Sequence, residues 1–287
     1  MNAEQNIQWF PGHMTKTRRQ IEAQLKIIDA VVEIVDARIP VSSRNPDLAG
    51  IIGSKPLLIL LNKCDMADAA ITAEWIRYYE SKSIPAIPVD CRSGKGINRF
   101  KTVVKDILAD RLKQYAEKGM AGKPLRVMVV GIPNVGKSSF INRIAGNSRA
   151  KVANRPGVTR GNQWFTIDRQ LELLDTPGVL WPKFDDATVG EHLAFTGAVS
   201  DRVVDTELLA MRLLDLLKND YPDLLTARYG ALDFSVDSYE LLEQIGKKRG
   251  MVIRGGQTDT ERAANMLLEE FRTCKIGAVT LEKTPDA

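Results

Sequence analysis

Short apolar runs, each closed by turn-forming or charged residues, recur through the first part of this chain. Ala30–Val35 (AVVEIV), Pro56–Leu61 (PLLILL), Ala86–Val89 (AIPV) and Arg126–Val130 (RVMVV) predict buried parallel strands: they are continuous rather than alternating, and too short for helices. Between them, helical spacing runs over Pro46–Ile52, Ile71–Lys82, Ile97–Leu112 and Ser139–Ala145. Trp164–Asp168 and Leu171–Leu174 predict a hairpin, and from Gly190 to Phe271 the pattern is helical or loop-like. Alternating strand and helix predict an α/β fold with a doubly wound, mostly parallel sheet, followed by a smaller all-helical domain. The boundary is expected near Pro182–Asp186, giving a basic N-terminal segment over 1–28 packed on the sheet domain, that domain over 29–183, and a helical domain over 188–287. Lys113–Pro124, with Gly119 and Gly122, predicts a basic linker.

Composition narrows the class. With 44% hydrophobic and 26% charged residues in 287, the balance is that of a globular protein able to bury a large core. Pro56–Leu61 is too short to span a bilayer, and the start, MNAEQNIQWF, lacks a targeting pattern, so a cytoplasmic protein is expected. Cys64, Cys91 and Cys274 show no metal-ligand spacing and predict reduced thiols.

The strand Arg126–Val130 runs into Gly131-Ile132-Pro133-Asn134-Val135-Gly136-Lys137-Ser138, and a helix follows. Strand, glycine-bounded loop, Lys-Ser and helix together form a phosphate cradle, in which loop N–H groups and the positive helix end face the anion. Contacts are expected from Asn134, Val135, Gly136, Lys137, Ser138 and Ser139, with Lys137 on the β/γ-phosphates and the Ser138 hydroxyl on Mg²⁺. The bland alternative is a glycine-rich turn, which the complete context disfavours.

Asn62-Lys63-Cys64-Asp65 follows another buried strand, where open parallel sheets place ligand contacts. An Asp65 carboxylate can accept from both N–H donors of a guanine edge, and adenine offers no such pair. Asn62 can bridge base edge and phosphate loop, and the Lys63 stem can lie along the ring. Alone the motif would be a solvated helix cap; beside the phosphate loop it favours guanine. Asp90 and Cys91, after the next strand, are expected to touch the base edge through their backbone. Asp175-Thr176-Pro177-Gly178 suits a switch: Asp175 for Mg²⁺ and the Gly178 N–H for the γ-phosphate. Thr159 is the candidate for the other switch threonine and Mg²⁺ ligand, with Thr166 in the same interval as an alternative.

The base-reading motifs precede the phosphate loop, so the usual order is rotated. Joining the ordinary termini and cutting elsewhere preserves the sheet. The chain resembles the circularly permuted GTPases, and within them the branch that assists assembly of the bacterial large ribosomal subunit. The resemblance is carried by Trp9–Met14 (WFPGHM), Val35–Arg38 (VDAR), Ser43–Pro46 (SRNP), Asn62–Asp65, Gly131–Ser138, Arg155–Thr159 (RPGVT), Asp175–Lys183 (DTPGVLWPK) and Glu191–Gly197 (EHLAFTG). It implies a GTP hydrolase stimulated by the subunit, acting late in large (50S) subunit assembly, with contacts to its 23S rRNA and release on hydrolysis. A monomer, Mg²⁺ as cofactor, and K⁺ coordinated at Asn134 as activator are further expectations of the resemblance.

Val179 and Leu180 stand where many GTPases carry a water-orienting glutamine, and neither can hydrogen-bond water. The resemblance points to His13 as the catalytic replacement, whose imidazole could orient water near neutral pH; the plainer role for it is packing beside Trp9. The missing glutamine also keeps open a nucleotide-dependent RNA- or ribosome-binding scaffold with negligible turnover. In the helical domain, Lys247, Lys248, Arg249 and Arg254 lie among glycines with no acidic residue between them. Such a run is often only a solvated surface, and the resemblance turns it towards rRNA phosphates. His192 sits in an apolar stretch and is expected to pack.

Overall fold

The computed structural model describes residues 21–146, 152–153, 163–176, 186–199 and 205–285. The described residues fall into two compact units: one holds those from Ile21 to Thr176 together with Glu282–Pro285, the other those from Asp186 to Leu281.

The first unit is a 7-stranded sheet in the order β3-β2-β1-β4-β7-β6-β5. Its strands are β1 (Ala30–Asp36), β2 (Leu57–Asn62), β3 (Ala86–Pro88), β4 (Leu125–Val130), β5 (Val152–Ala153), β6 (Gln163–Asp168) and β7 (Leu171–Asp175). Pairings from β3 across to β7 are parallel, and β6 and β5 add antiparallel edges. Every residue of β1 is buried, as suits a central parallel strand covered on both faces. Its mid-strand acid, Glu33, is accommodated because Arg44 Nε and the Asn45 N–H donate to its carboxylate at 2.8 and 3.1 Å. Burial nevertheless holds the Glu33 carboxyl above its ordinary value.

Helices α1 (Leu48–Ile52), α2 (Ala69–Ser81), α3 (Phe100–Ile107), α4 (Ala109–Glu117) and α5 (Lys137–Gly146) also belong to this unit. The Asp68 side chain starts α2 by accepting from the N–H groups of Ala70 and Ile71. That helix lays Trp75 and Tyr79 against Val35, Ile59 and Leu61 of the sheet. Met128, Val130, Trp164 and Leu174 gather in a separate core with Ile28, Leu48 and Ile52. Phe140 of α5 meets Phe100 of α3 edge-on at 4.9 Å.

Two expectations for this unit need correction. The helix foreseen over Ile97–Leu112 is a 3-10 turn (Ile97–Arg99), then α3 and α4 divided at Leu108. The linker foreseen from Lys113 is helical as far as Glu117. The cause is Asp29, whose carboxylate accepts from Arg111 Nε at 3.0 Å, Tyr115 Oη at 2.8 Å and Arg126 N at 2.9 Å. Those bonds tie α4 to the strand edge and extend its order.

The second unit comprises α6 (Ala187–Phe195), α7 (Thr206–Asp220), α8 (Pro222–Tyr229), α9 (Ser238–Lys248) and α10 (Thr260–Arg272). Asp186, Asp205, Asp237 and Asp259 each cap the helix that follows. Its core is leucine-rich, with Leu213, Leu217, Leu241, Ile245, Leu267 and Phe271 all buried together. Between α9 and α10 the chain folds back in a short antiparallel bridge, Val252 with Thr258. Gly246 admits that turn, since a Cβ there would lie 2.5 Å from Thr258 Cγ2. His192 is buried, with its ring 6.1 Å from that of Phe195.

Candidate functional site

β4, β2, β3 and β7 run parallel in the sheet, so the loops after them open at one edge, where open α/β sheets hold ligands. The loop after β4 is tightly built. A Cβ at Gly131 would lie 2.7 Å from the Ile34 carbonyl oxygen. Gly136, at φ +102°, has Asn62 Nδ2 where its Cβ would be, at 2.2 Å. Asn134 also takes a positive φ, 59°. Val135 is buried, while Ser138 and Ser139 are exposed in the first turn of α5.

Lys137 at the start of α5 and Asp175 at the end of β7 attract one another. Burial lowers the Lys137 ammonium pKa and raises that of the Asp175 carboxyl, and the mutual attraction only partly offsets each shift. The Thr176 hydroxyl donates to the Val129 carbonyl at 2.7 Å, fixing the chain beyond Asp175 against β4. Asp175 Oδ1 is buried and has no hydrogen-bond partner among the described residues. An acceptor oxygen left so fits a hard divalent cation. Among the described residues no group of three or more His, Cys, Asp or Glu could hold a metal. A Mg²⁺ ion held there would need phosphate oxygens and water to complete its coordination.

Asn62 ends β2 and is buried. Its Nδ2 donates to the Val135 carbonyl at 2.7 Å, as expected of a link to the phosphate loop. Its Oδ1 accepts from the Cys91 N–H at 3.0 Å, so the other end of the amide reaches the loop after β3. The Asp90 N–H donates to Lys95 O, and its carboxylate accepts from the N–H groups of Arg92 and Ser93. Asp90 and Cys91 thus shape their loop, and the N–H groups of both have partners within the protein. Asp65 lies 3.6 Å from the exposed Arg92 guanidinium, a pairing the sequence did not single out. A surface pair of this kind contributes little to stability. Burial raises the Cys64 thiol pKa and pushes that of Cys91 up to about 12, so both stay protonated near neutrality.

Lys63 adopts φ +60°, and its ammonium lies 2.8 Å from Asp36 at the end of β1. Arg38 grips the same carboxylate through Nε at 2.9 Å and Nη2 at 2.8 Å. Burial pushes the Asp36 carboxyl up, but the charges and hydrogen bonds of Arg38 and Lys63 outweigh it and hold the group well below the usual carboxylate range. Asp36 and Arg38 had no site role in the sequence. Their signal was VDAR, two charges inside a buried strand end, which demands partners.

Thr166, the alternative switch residue, lies in β6 opposite Glu172. His13, Thr159 and Gly178 lie outside the described residues. In the second unit, Lys247 and Lys248 form the last turn of α9 rather than a loop. Arg249 is exposed yet engaged within the unit: it lies 3.8 Å from Glu270, stacks 5.2 Å over the Tyr229 ring, and donates to Arg228 O. Arg254 is exposed beside Val252 and Ile253, two aliphatic residues about half exposed.

A family described as "50S ribosome-binding GTPase" matches residues 126–228. A Priestia megaterium protein named ribosome biogenesis GTPase A is 46% identical over 283 residues, covering 98% of each chain. Its namesake in Thermotoga maritima is 31% identical over 282 residues, covering 98% of this chain and 95% of that one. A GDP-bound structure of TM YlqF aligns with a TM-score of 0.67 at 26% identity, covering 94% of this chain and 100% of the other. A GNP-bound YlqF from T. maritima aligns at 0.62 and 27% identity, covering 93% and 98%.

The Asp36 cluster makes a stability prediction. Asp36→Asn leaves Arg38 buried without its counter-charge and should cost about 3–5 kcal/mol. Because the folded pKa is depressed, the charge contribution is fully present well above the unfolded value of about 3.9 and is lost as pH falls through the folded value. In urea melts from pH 5 to pH 3, the parent should therefore lose stability more steeply than the variant. Parallel slopes would show that Asp36 carries no such linkage.

Proposed function

This chain belongs to the ribosome biogenesis GTPase A family and is a GTP hydrolase of ribosome assembly; from that premise we propose that it acts late in large (50S) subunit maturation, binding 23S rRNA and leaving the subunit on hydrolysis. The observation that carries the site is the buried, unpartnered Asp175 Oδ1 beside Lys137, on the same sheet edge as Asn62 and Asp65. In this reading the backbone of Asn134–Ser139 cradles the phosphates and Lys137 neutralises the β/γ-oxygens. Ser138, Thr159 and Asp175 would hold Mg²⁺, which would supply charge stabilisation to the phosphates. The Gly178 N–H senses the γ-phosphate. Asp65 reads guanine, the Lys63 stem lies along the ring, and the loop at Asp90–Cys91 walls the base.

Val179 leaves the attacking water without a glutamine, so His13 orients it, and K⁺ at Asn134 adds positive charge beside the phosphates. Lys247, Lys248 and Arg254 face rRNA phosphates; Arg249 contributes by bracing the patch through Glu270 and Tyr229. The protein works in the cytoplasm as a monomer. Among the described residues no helix is long and apolar enough to cross a membrane.

Base selectivity has a direct test. Asp65→Asn should weaken GTP by roughly 10–100-fold, from the loss of charge-assisted bonds of about 1.5–3 kcal/mol each, and should favour XTP. Undiminished GTP binding would remove Asp65 from the base site. The function itself is read by phosphate release under multiple turnover with immature, mature and no large subunits, in K⁺ and in Na⁺ at matched ionic strength. We expect stimulation by subunits, faster turnover in K⁺, and loss of the stimulated rate in His13→Ala with nucleotide affinity intact. Turnover indifferent to subunits would contradict the assembly role, and negligible turnover throughout would restore the scaffold alternative. Equal rates in the two salts would remove K⁺, and an unchanged His13→Ala rate would remove His13.

A further inference from the structure

Glu282 follows the last helix of the second unit in sequence, yet it is part of the first. Its carboxylate is surrounded by donors from the loop after β1. The Val41 N–H donates to Oε2 at 2.5 Å, the Ser42 N–H donates to Oε1 at 3.0 Å, and the Ser42 hydroxyl also donates to Oε1. The Glu282 main-chain carbonyl accepts from Trp75 Nε1 at 2.9 Å, and Trp75 is buried in α2. A glutamate meeting this many donors is a fastening for the loop: Ser42 is buried, and its N–H and hydroxyl both donate to the charged carboxylate.

The fastened loop continues into the nucleotide site. Ser43, next to Ser42, is fully buried, and its N–H and hydroxyl donate to Ile39 O at 3.0 and 2.6 Å. The same hydroxyl oxygen accepts from the Asp36 N–H at 2.9 Å. Asp36 in turn holds the Lys63 ammonium, and Asp36 stands in register with Asn62 at the end of β2. The path runs from Glu282 to Ser42, along the chain to Ser43, from the Ser43 hydroxyl to the Asp36 N–H, and from the Asp36 carboxylate to Lys63.

We propose that Glu282 is a positioning residue for guanine-nucleotide binding, acting through Ser42, Ser43 and Asp36 to hold the Lys63 stem where the base will lie. This rests on the assignment of Asn62–Asp65 to the base. A lysine tethered at its ammonium has given up much of its rotamer freedom before the ligand arrives, so the ordering cost at binding is smaller. Loosening the loop returns that cost. The loss falls on the base side, so GTP and GDP suffer alike.

The test is equilibrium binding of GTP and GDP to the full chain, to Glu282→Gln, and to a chain ended after Leu281. Gln keeps the shape of Glu282 but turns an NH₂ towards donors. Both changes should weaken GTP and GDP by the same factor, roughly three- to tenfold, equivalent to ~0.6–1.4 kcal/mol. In a Lys63→Ala background the same changes should cost nothing further, because the group they position is gone. Melting without nucleotide tracks folding separately, and the isosteric Glu282→Gln decides the matter if the shortened chain melts early. Unchanged affinity in Glu282→Gln, or an equal loss with and without Lys63, would overturn the proposal. If Lys63→Ala alone leaves GTP binding unchanged, the base assignment fails and the proposal fails with it.

Discussion

The nucleotide site depends on one buried carboxamide. Asn62 donates to the carbonyl of Val135 in the phosphate loop and accepts from the N–H of Cys91 in the loop after β3. In low dielectric, neither bond exchanges readily with water, and losing either leaves a buried group unpaired. The amide also explains Gly136, whose missing Cβ makes room for Asn62 Nδ2. The loop after β4 and the loops after β2 and β3, far apart in sequence, are joined at this residue.

Around that amide the sheet edge is lined with charges that the fold has paired or left waiting. Asp36 is saturated by Arg38 and Lys63, and its carboxyl stays ionised. Asp175 has the opposite character: burial raises its pKa, Lys137 only partly offsets this, and one oxygen has no partner among the described residues. The first arrangement stabilises geometry, and the second invites a ligand. Both carboxylates end strands of one sheet, and their environments leave one saturated and the other with an open oxygen.

What was legible in the sequence was what is local. Continuous apolar runs gave the parallel strands to within a residue or two, because a strand covered on both faces has no polar side. The phosphate loop was legible because strand, glycines, lysine and helix are contiguous. What escaped depends on distant partners. The extension of α4 to Glu117 follows from Asp29, far away in sequence, which holds Arg111 and Tyr115. Arg249 looked like a free surface charge, but Glu270 and Tyr229 claim it from other helices. Glu282 looked like the end of the helical domain and belongs to the other unit, because its donors lie on the loop after β1.

The most direct test of this account is the affinity of Asn62→Ala for GTP and GDP, measured at equilibrium alongside its nucleotide-free melting temperature. If one amide joins the two halves, both nucleotides should bind more weakly by a common factor of about ten or more, in line with ~1–3 kcal/mol for each buried group left unpaired. GTP and GDP affinities equal to the parent's, in a variant that melts normally, would contradict it.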